Sequence, residues 1–207
     1  MHKFDPENAA RLERQERYAL IPPEATLRRF GVGNDMVVAD IGAGTGYFAR
    51  GAARLVGPAG HVYAVDMAQA MLDHMRSNGL PDNVEAVLSG EYAIPLPTGC
   101  ADLTLLAFVV HETPDVRRLL REAARVTRPD GRILIIEWKR QVEEGGPPAE
   151  ERLDQAELHR RITGGFVVHE QGHLNPSHYY SVLSAAHAGT PGDPSCEIRR
   201  GIRSGYP

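Results

Sequence analysis

The chain has 207 residues, a length that fits one domain with a terminal appendage. Hydrophobic residues make up 42% of it and charged residues 24%, which are ordinary fractions for globular proteins and indicate neither a disordered chain nor a fibrous repeat. The formal net charge of -4 provides no general attraction to nucleic acid or to anionic lipid. We therefore expect a globular protein whose partner is not nucleic acid.

The cysteines and the N-terminal segment indicate where the protein works. Cys100 and Cys196 lie far apart in the chain, so a disulfide framework is not indicated. The first residues, Met1 to Glu7, are polar and lack the apolar stretch of a signal peptide, and no later segment is long enough to span a bilayer. These observations predict a cytoplasmic protein without a membrane span.

The chain divides into three regions. Residues 1–30 are predicted to form a helical cap, with one helix at 7–20 and a second at 23–30, after a break at two prolines. Residues 31–185 are predicted to form the main domain. Residues 186–207 are rich in glycine and proline and have little apolar periodicity, which predicts a disordered tail outside the core.

Strands and helices alternate through the main domain. The predicted strands are Met36–Ile41, His61–Asp66, Val84–Leu88, Ala101–Val110, Arg132–Trp138, Phe166–Glu170 and His178–Ser184. The predicted helices are Tyr47–Val56, a helix that carries Ala68 to Met75, Asp115–Val126 and Ala149–Ile162. The first strand is apolar almost throughout, which is typical of a strand buried on both faces of a parallel sheet. The alternation predicts a parallel α/β fold.

A glycine loop, Asp40 to Gly46 with the sequence DIGAGTG, ends the first strand and opens the next helix. Glycines at such a place let backbone N–H groups approach a ligand. A dinucleotide fold prefers Gly-x-Gly-x-x-Gly, whose third glycine would fall at position 47, where this chain has Tyr47; this spacing disfavours NAD. Asp40 in the turn would repel a pyrophosphate and favours a cofactor with a cationic amine, such as S-adenosylmethionine.

Asp66 ends the second strand, at a position where a carboxylate can accept hydrogen bonds from both ribose hydroxyls of a nucleoside cofactor. It would serve NAD and S-adenosylmethionine equally well. A helix cap before Ala68 is the alternative role of this residue. The glycine loop and Asp66 together indicate a nucleoside cofactor more strongly than either does alone.

These residues resemble the motifs of one family. The segment VADIGAGTG, from Val38 to Gly46, looks like the first motif of class I S-adenosylmethionine-dependent methyltransferases, and Val65-Asp66 looks like their ribose-binding strand end. The stretch Arg125–Arg132 is similar to their Arg-Val-Leu-Lys-Pro-Gly-Gly signature, with Asp130 in place of the first glycine. The similarity spans about residues 30–185, includes Pro95-Leu96-Pro97, and points to the broad group of quinone-biosynthesis C-methyltransferases and other small-molecule enzymes.

The resemblance implies a fold, a cofactor and a set of site residues. The fold is a Rossmann-like, doubly wound α/β sheet of seven strands, mostly parallel with an antiparallel last strand. The cofactor is S-adenosylmethionine, and the methyl acceptor is a small molecule. The implied cofactor-binding residues are Asp40, Gly42, Ala43, Gly44, Thr45, Gly46, Asp66, Met67, Gly90 and Glu91, the last two near the adenine.

The acceptor in this fold sits beyond the carboxyl ends of the strands, which directs attention to His111 and Glu112 at the end of the fourth strand. We predict His111 as the general base and Glu112 as a second catalytic candidate; the alternative is that His111 begins a loop and that Glu112 or Thr113 caps the following helix. Tyr47 and Trp138 are candidates for the substrate pocket, with aromatic core packing as the alternative. Methyl transfer from an activated sulfonium also proceeds by alignment alone, so a base is optional.

One further string, His169-Glu170-Gln171-Gly172-His173, matches the His-Glu-x-x-His pattern of zinc proteases. That chemistry requires both histidines on one face of a helix. Glycines and Pro176 crowd the segment, and the preceding Phe166-Val167-Val168 predicts a strand instead. We therefore predict no metal site.

Two other classes of function remain open. One is an NAD(P)-dependent oxidoreductase, which the glycine spacing disfavours. The other is a non-catalytic protein that binds the adenosyl cofactor without turnover, because a cofactor loop indicates binding and says little about the acceptor. The fourth strand lacks the Asn/Asp-Pro-Pro-Tyr/Phe motif of adenine amino-group methylation, which further favours a small organic acceptor. The sequence predicts neither the acceptor atom nor the oligomeric state.

Overall fold

The computed structural model describes residues 15–142 and 146–186. The helices are α1 (Gln15–Leu20), α2 (Pro23–Arg29), α3 (Tyr47–Val56), α4 (Gln69–Ser77), α5 (Val116–Val126) and α6 (Gln155–Ile162), with a single helical turn at Val110–Glu112. The strands are β1 (Val37–Ile41), β2 (His61–Asp66), β3 (Val84–Leu88), β4 (Ala101–Ala107), β5 (Thr127–Trp138), β6 (Phe166–His173) and β7 (His178–Ala185).

The seven strands form one sheet in the order β3-β2-β1-β4-β5-β7-β6. Strand β7 is antiparallel to both of its neighbours, β5 and β6, and the other pairs are parallel. This arrangement confirms the predicted seven-stranded sheet with an antiparallel last strand. The chain builds β1 to β3 outward on one side and then crosses back to place β4 against β1, so the strand order reverses between β1 and β4. Ligands of open α/β sheets bind at such a reversal, outside the carboxyl ends of the strands.

Helices cover both faces of the sheet because neighbouring residues of each strand point to opposite faces. On one face, residues such as Val38, Leu105 and Leu134 pack under α2, α3 and α4. On the other, their neighbours, among them Leu106 and Ile135, pack under α5 and α6. The central strands are therefore apolar on both sides, as the continuous apolar runs predicted.

The N-terminal region shares its core with the main domain. Leu27 of α2 is fully buried in the same cluster as α3. A Cβ atom on Gly51 of α3 would lie 2.6 Å from Cβ of Pro23, so the glycine permits close contact between the two helices. The described part of the predicted helix at 7–20 is α1; residues 7–14 of that helix, and 187–207 of the predicted tail, lie outside the described residues.

Several predicted element boundaries are wrong, each for a local reason. Strand β4 ends at Ala107, not Val110, because Phe108 adopts a left-handed φ of 63°. Helix α6 begins at Gln155, not Ala149, because the Asp154 side chain caps it by accepting the N–H of Ala156 at 2.9 Å.

Strand β5 begins at Thr127, five residues earlier than Arg132, because Thr127 still pairs with Ala101 across a register shift. Helix α5 begins at Val116, since Asp115 is its cap and accepts the N–H of Arg118 at 3.0 Å.

The His-Glu-x-x-His string lies on β6, so the helix that a zinc protease needs is not formed there. His169 contacts Ser184 on the adjacent strand, with 2.8 Å between Nε2 and Oγ. Within residues 15–142 and 146–186, no three His, Cys, Asp or Glu side chains are grouped closely enough to hold a metal ion. The absence of a metal stays a prediction. None of the described helices is long and apolar enough to cross a bilayer.

Candidate active site

The strand reversal brings two loops together. The glycine loop, residues 42–46, follows β1, and residues 108–112 follow β4. They are in contact, because a Cβ atom on Gly42 would lie 2.2 Å from Cγ2 of Val109. Position 42 therefore requires glycine for this close approach. The two segments form the candidate site.

The backbone of the glycine loop explains its sequence. Gly42, Gly44 and Gly46 all have left-handed φ angles, of 73°, 56° and 84°. Residues with a side chain adopt this conformation at a cost, so glycine recurs at alternate positions. The loop is fixed to β2, because the N–H groups of Gly42 and Ala43 both donate to the Val65 carbonyl oxygen, at 2.8 and 3.0 Å.

Asp40 is a buried acid beneath this loop. It lies within β1, one residue before the strand ends, rather than in the predicted turn. Its side chain is almost fully buried, and its Oδ2 atom, like Oγ1 of buried Thr45, has no hydrogen-bond partner among the described residues. Burial, and then the charge of Asp66, raise the pKa of Asp40 to about 7, against the opposing effects of the Ala49 backbone N–H and Arg17. A cationic group at Oδ2 would stabilise the charged form.

Asp66 has backbone partners for both carboxylate oxygens. Oδ2 accepts the N–H of Gly44 and Oδ1 accepts the N–H of Ala68, each at 2.8 Å. The residue thus fixes the glycine loop, whereas the alternative role as a helix cap is wrong, because the N-cap of α4 is Ala68 and no side chain caps that helix. A carboxylate has about four lone-pair sites, so acceptor capacity remains for a ligand. Met67, which follows, is half exposed at 46%.

The loop after β3 lies beside Asp66. The Ser89 N–H donates to the Asp66 carbonyl oxygen at 2.9 Å. Gly90 and Ala93 exchange two backbone hydrogen bonds, at 3.1 and 3.4 Å, which turns the chain around Glu91. The structure therefore brings the two predicted adenine-side residues to the same sheet edge as Asp66.

Glu137, near the end of β5, holds His111 in one orientation. Its carboxylate is fully buried, Oε2 lies 2.8 Å from Nδ1 of His111, and Oε1 accepts the His111 backbone N–H at 3.1 Å. Because an ionised carboxylate only accepts hydrogen bonds, Nδ1 carries a proton, and Nε2 of the neutral ring keeps its lone pair. An imidazole oriented in this way by an acid is the arrangement of a general base.

The carboxylates around His111 also raise its basicity. Burial, the largest single effect, lowers the pKa of His111, but the charge and hydrogen bond of Glu137 and the charges of Glu112 and Glu151 together outweigh it, so the pKa lies above its usual value. Oε1 of Glu112 lies 3.9 Å from Nε2 of His111, and its side chain is 27% exposed. Glu112 is therefore placed to stabilise a protonated His111 ring.

Three rings form an aromatic wall, defined as Phe108, Trp138 and His178, at the carboxyl ends of β4 and β5. Their centroids are 5.4 Å (Phe108 to Trp138), 5.0 Å (Phe108 to His178) and 4.3 Å (Trp138 to His178) apart. The guanidinium of buried Arg152 lies 4.9 Å from the centre of the Trp138 ring. The predicted pocket residue Trp138 thus belongs to a wall at the same sheet edge as His111.

Tyr47, the other predicted pocket residue, is buried in the first turn of α3. Its hydroxyl donates to the Ile21 carbonyl oxygen at 2.9 Å. Its ring packs against Tyr18 at 4.7 Å and Phe48 at 5.2 Å between centroids. Tyr47 therefore attaches the segment between α1 and α2 to the helix that follows the glycine loop.

Glu137 and His178 are site residues that sequence reasoning misses. Glu137 had a detectable signal, because an acid near the carboxyl end of the apolar run Ile133–Trp138 is the same anomaly as Asp40 in β1. His178 had none, because its position depends on the register that pairs it with Trp138 across β5 and β7.

Phe108 has a backbone conformation that its side chain disfavours, which leads to a stability prediction. At φ of 63°, a residue with a Cβ atom is strained by about 1–2 kcal/mol, whereas glycine is not. We expect Phe108→Gly to be at least as stable as Phe108→Ala, since both remove the ring and only alanine keeps the strain. Urea unfolding of the two variants measures the difference.

Phe48 provides the matched control, because it is a buried phenylalanine inside α3 with the ring 6.5 Å from that of Phe108. There glycine should be less stable than alanine by about 1 kcal/mol, the ordinary helix order. A Phe108→Gly variant clearly less stable than Phe108→Ala would contradict the strain.

Comparisons with known proteins show which proteins this chain is similar to. The model of the methyltransferase domain family matches residues 39–135. The ubiquinone/menaquinone biosynthesis C-methyltransferase UbiE of Hahella chejuensis is 35% identical over 119 residues, which cover 56% of this chain and 48% of that protein. The UbiE of Vibrio campbellii is 33% identical over 109 residues, covering 51% and 42%. The chain thus spans about half the length of these curated relatives.

A solved structure matches along almost its whole length. The SAM-dependent methyltransferase from Aquifex aeolicus superposes with a TM-score of 0.82 and 32% sequence identity, covering 87% of this chain and 98% of that one. The matched family model begins within β1 and includes the whole glycine loop of this chain. The chain therefore belongs to the class I S-adenosylmethionine-dependent methyltransferases.

Proposed function

We propose that the protein transfers a methyl group from S-adenosylmethionine to a small organic acceptor, and that His111 takes up the proton that the acceptor loses. The binding of the cofactor is supported by the buried carboxyl of Asp40, which lies at the strand reversal. Its Oδ2 atom has no hydrogen-bond partner among the described residues. The observation that carries the acceptor part is the contact between His111 and buried Glu137.

The residues around the glycine loop fit this cofactor. Asp40 would hold the ammonium group, which supplies the donor that Oδ2 lacks. Asp66 would accept the ribose hydroxyls with its remaining lone pairs, and Gly90 and Glu91 would lie on the adenine side. The oxidoreductase alternative receives no support, since the family model and the relatives are methyltransferases.

When bound, S-adenosylmethionine supplies a methyl group that is already activated on a positively charged sulfur. The chain's own residues then have two tasks: to align the acceptor and to remove a proton from it. Nε2 of His111 accepts that proton, and Glu137 and Glu112 stabilise the resulting imidazolium. The acceptor gains the methyl group and loses the proton, and S-adenosylhomocysteine is released.

An aromatic ring is the acceptor class that we favour. In the aromatic wall, Phe108 and Trp138 are half-buried and offer ring surface against which a planar molecule could stack, whereas His178 is buried and contacts both of them. The curated relatives are named for ubiquinone and menaquinone biosynthesis. Hydroxylated aromatic compounds are therefore the first acceptors to test.

The cofactor assignment is tested by thermal stabilisation. At a hundredfold excess over its dissociation constant, S-adenosylhomocysteine should stabilise the protein by about 2.7 kcal/mol, or roughly 5 to 11 °C in Tm for a domain of this size. NAD should have no effect, because the loop lacks the dinucleotide spacing. Differential scanning fluorimetry of the full chain measures both shifts.

Two acids on neighbouring elements provide a matched pair of variants. Asp66→Asn should reduce the shift in Tm caused by S-adenosylhomocysteine. The amide has one acceptor oxygen instead of two, and it has no negative charge to strengthen the hydrogen bonds from the ribose hydroxyls. Asp73→Asn, on the exposed side of α4, should leave the shift unchanged. A large shift with NAD, or none with S-adenosylhomocysteine, would overturn the assignment.

Turnover is scored by the release of S-adenosylhomocysteine with a panel of small acceptors led by hydroxylated aromatic compounds. Release with any of them distinguishes an enzyme from a protein that binds the cofactor without turnover. The cytoplasmic location and the small-molecule partner predicted from the sequence are part of the same proposal. Nucleic acid is not proposed as a substrate, given the net charge of -4.

A further inference from the structure

The loop after β3, residues 89–93, carries a tyrosine in its turn. Gly90 and Ala93 are bonded to each other through their backbones, which places Tyr92 in the turn between them. The Tyr92 ring is half-buried and packs against the core on the α5 side of the sheet. The guanidinium of Arg118, in the first turn of α5, lies 4.7 Å from the centre of this ring. The ring is therefore fixed between the sheet core and α5.

The hydroxyl of Tyr92 contacts both ends of a short connector that follows β4. The connector, Thr113-Pro114-Asp115, joins the helical turn Val110–Glu112 to α5. The hydroxyl oxygen of Tyr92 lies 2.9 Å from Oγ1 of Thr113 and accepts the N–H of Asp115 at 3.2 Å. A tyrosine hydroxyl is a donor as well as an acceptor, so it can make both bonds at once. A single atom of the loop after β3 thus holds both residues that flank Pro114.

The connector begins immediately after the candidate catalytic residues. His111 and Glu112 end the helical turn, and Thr113 follows them. The turn is attached on one side through Glu137, which accepts the His111 backbone N–H at 3.1 Å, and on the other through Tyr92. Thr113 is only 3% exposed, so water has little access to replace Tyr92 as the partner of its hydroxyl. The placement of His111 therefore depends on bonds at both ends of its segment.

This bond joins the cofactor side of the site to the acceptor side. We propose that Tyr92 is a positioning residue that transmits cofactor binding to His111: a ligand that orders the loop after β3 also restrains Thr113 and, through it, the helical turn. The proposal rests on the proposed function, which places the adenine at that loop and the proton acceptor at His111. Such coupling between two sites is a free energy, carried here by a contiguous chain of hydrogen bonds.

The glycine loop offers a second route between the two sides. Gly42 lies against Val109, which directly precedes the helical turn. Tyr92 takes no part in that contact, so Tyr92→Phe leaves it in place. A variant that lacks only the Tyr92 hydroxyl therefore separates coupling through the loop after β3 from coupling through the glycine loop.

The test measures backbone amide exchange by NMR in the full ¹⁵N-labelled chain, with and without saturating S-adenosylhomocysteine. Exchange of a protected amide reports the free energy of local opening. In the parent, the ligand should slow exchange at Gly90, and also by about tenfold at His111 and Asp115, within the usual range of coupling between two sites. In Tyr92→Phe the slowing at Gly90 should remain, whereas the slowing at His111 should be lost, because only the connecting hydroxyl is missing.

Variants of Thr113 test the same bond from its other side. Thr113→Val removes the hydroxyl and should lose the slowing at His111 as Tyr92→Phe does, whereas Thr113→Ser keeps a hydroxyl and should retain it. The double variant of Tyr92→Phe and Thr113→Val should lose no more than either single variant, as expected of two residues that share one interaction. The Tm of each variant shows whether it is folded, and Thr113→Val serves if Tyr92→Phe does not fold.

Tyr63 provides the matched control. It is a half-buried tyrosine whose ring packs against the same core cluster as that of Tyr92, but it lies in the middle of β2. Tyr63→Phe likewise removes one hydroxyl from the chain. Because it leaves the connector untouched, S-adenosylhomocysteine should slow exchange at His111 as much in this variant as in the parent.

The exchange rates at Gly90 and His111 decide the role of Tyr92. Equal slowing at His111 in Tyr92→Phe and in the parent would overturn the proposal, and so would a parent in which the ligand slows exchange at Gly90 alone. Loss of the slowing at Gly90 in Tyr92→Phe would also overturn it, since Tyr92 would then only support the cofactor loop. A parent with neither a thermal shift nor slowed exchange would instead overturn the proposed function.

Discussion

Replacing His111 with alanine is expected to lower turnover at saturating cofactor by about a hundredfold or more, the usual contribution of a positioned general base. Cofactor affinity should not change, because His111 follows β4 and is bonded to Glu137, on the acceptor side of the strand reversal. Initial rates with the acceptor found by the panel, and calorimetry with S-adenosylhomocysteine, measure the two quantities separately. A His111→Ala variant that turns over like the parent would mean that alignment alone drives the reaction.

The pH dependence of turnover tests the role of Glu137. A base acts in its neutral form, so turnover should rise with pH through the pKa of His111, which Glu137 holds above the usual histidine value. In Glu137→Gln the single amide oxygen can accept the Nδ1 hydrogen bond, at the loss of the bond from the His111 backbone N–H, and the side chain has no charge, so the pKa of His111 falls. The rise in turnover should then occur at lower pH, and the maximal rate should be smaller because a weaker base removes the proton.

Glu112 gives the graded control for this experiment. It lies 3.9 Å from Nε2 and is partly exposed, so Glu112→Gln should move the profile in the same direction by less than Glu137→Gln does. If Glu137 had a purely structural role, Glu137→Gln would reduce stability and turnover without shifting the pH at which turnover rises. Equal profiles in the parent and Glu137→Gln would therefore contradict the proposed pairing.

The sequence predicts the local backbone of the glycine loop better than the contacts around His111, because the loop depends on neighbouring residues and those contacts depend on distant ones. The residues from Asp40 to Gly46 are consecutive, and the left-handed φ angles of Gly42, Gly44 and Gly46 are imposed by the local backbone. A local pattern of this kind is visible in the sequence. The boundaries of α3, which follows the loop, and of β2, which follows α3, were likewise predicted to the residue.

The acceptor side depends on contacts between distant parts of the chain. Glu137 reaches His111 only because β5 lies beside β4, and His178 reaches Trp138 only because β7 is inserted between β5 and β6. No periodicity within a strand specifies which strand will be its neighbour. His111 itself could be predicted, because the end of any parallel strand faces the ligand edge.

The His-Glu-x-x-His string at His169 is a local pattern that matches a known motif without forming the corresponding structure. Its letters satisfy the zinc-protease pattern, but the helix that would place the two histidines together is not formed. The Phe166-Val167-Val168 run is the stronger signal there, because it specifies the strand that the structure contains.

Cofactor binding is expected to weaken about tenfold for each unit by which the pH falls below about 7, because the pKa of free Asp40 is raised to about 7. In the free protein below this pH, Asp40 carries a proton, and an ammonium group requires the charged carboxylate. A bound ammonium group should lower the pKa of Asp40, so binding below pH 7 should release a proton, and the affinity should be fully developed only above pH 7. Calorimetry with S-adenosylhomocysteine between pH 5.5 and 8, in buffers of different ionisation enthalpy, measures the affinity and the proton release.

A ligand without the amino-acid end and a variant without the carboxylate of Asp40 isolate this effect from other titrating groups. 5′-Methylthioadenosine has the adenosyl part but neither the ammonium nor the carboxylate group, so its affinity should not depend on the charge of Asp40 and should stay constant in this pH range. Asp40→Asn should bind S-adenosylhomocysteine weakly at every pH, because the carboxylate is missing, and should release no proton. Asp66 and Arg17 also act on the charge of Asp40, but their substitution leaves the titrating carboxyl in place. An affinity that stays constant from pH 5.5 to 8 in the parent, or an equal slope in Asp40→Asn, would show that the ammonium group is bound elsewhere.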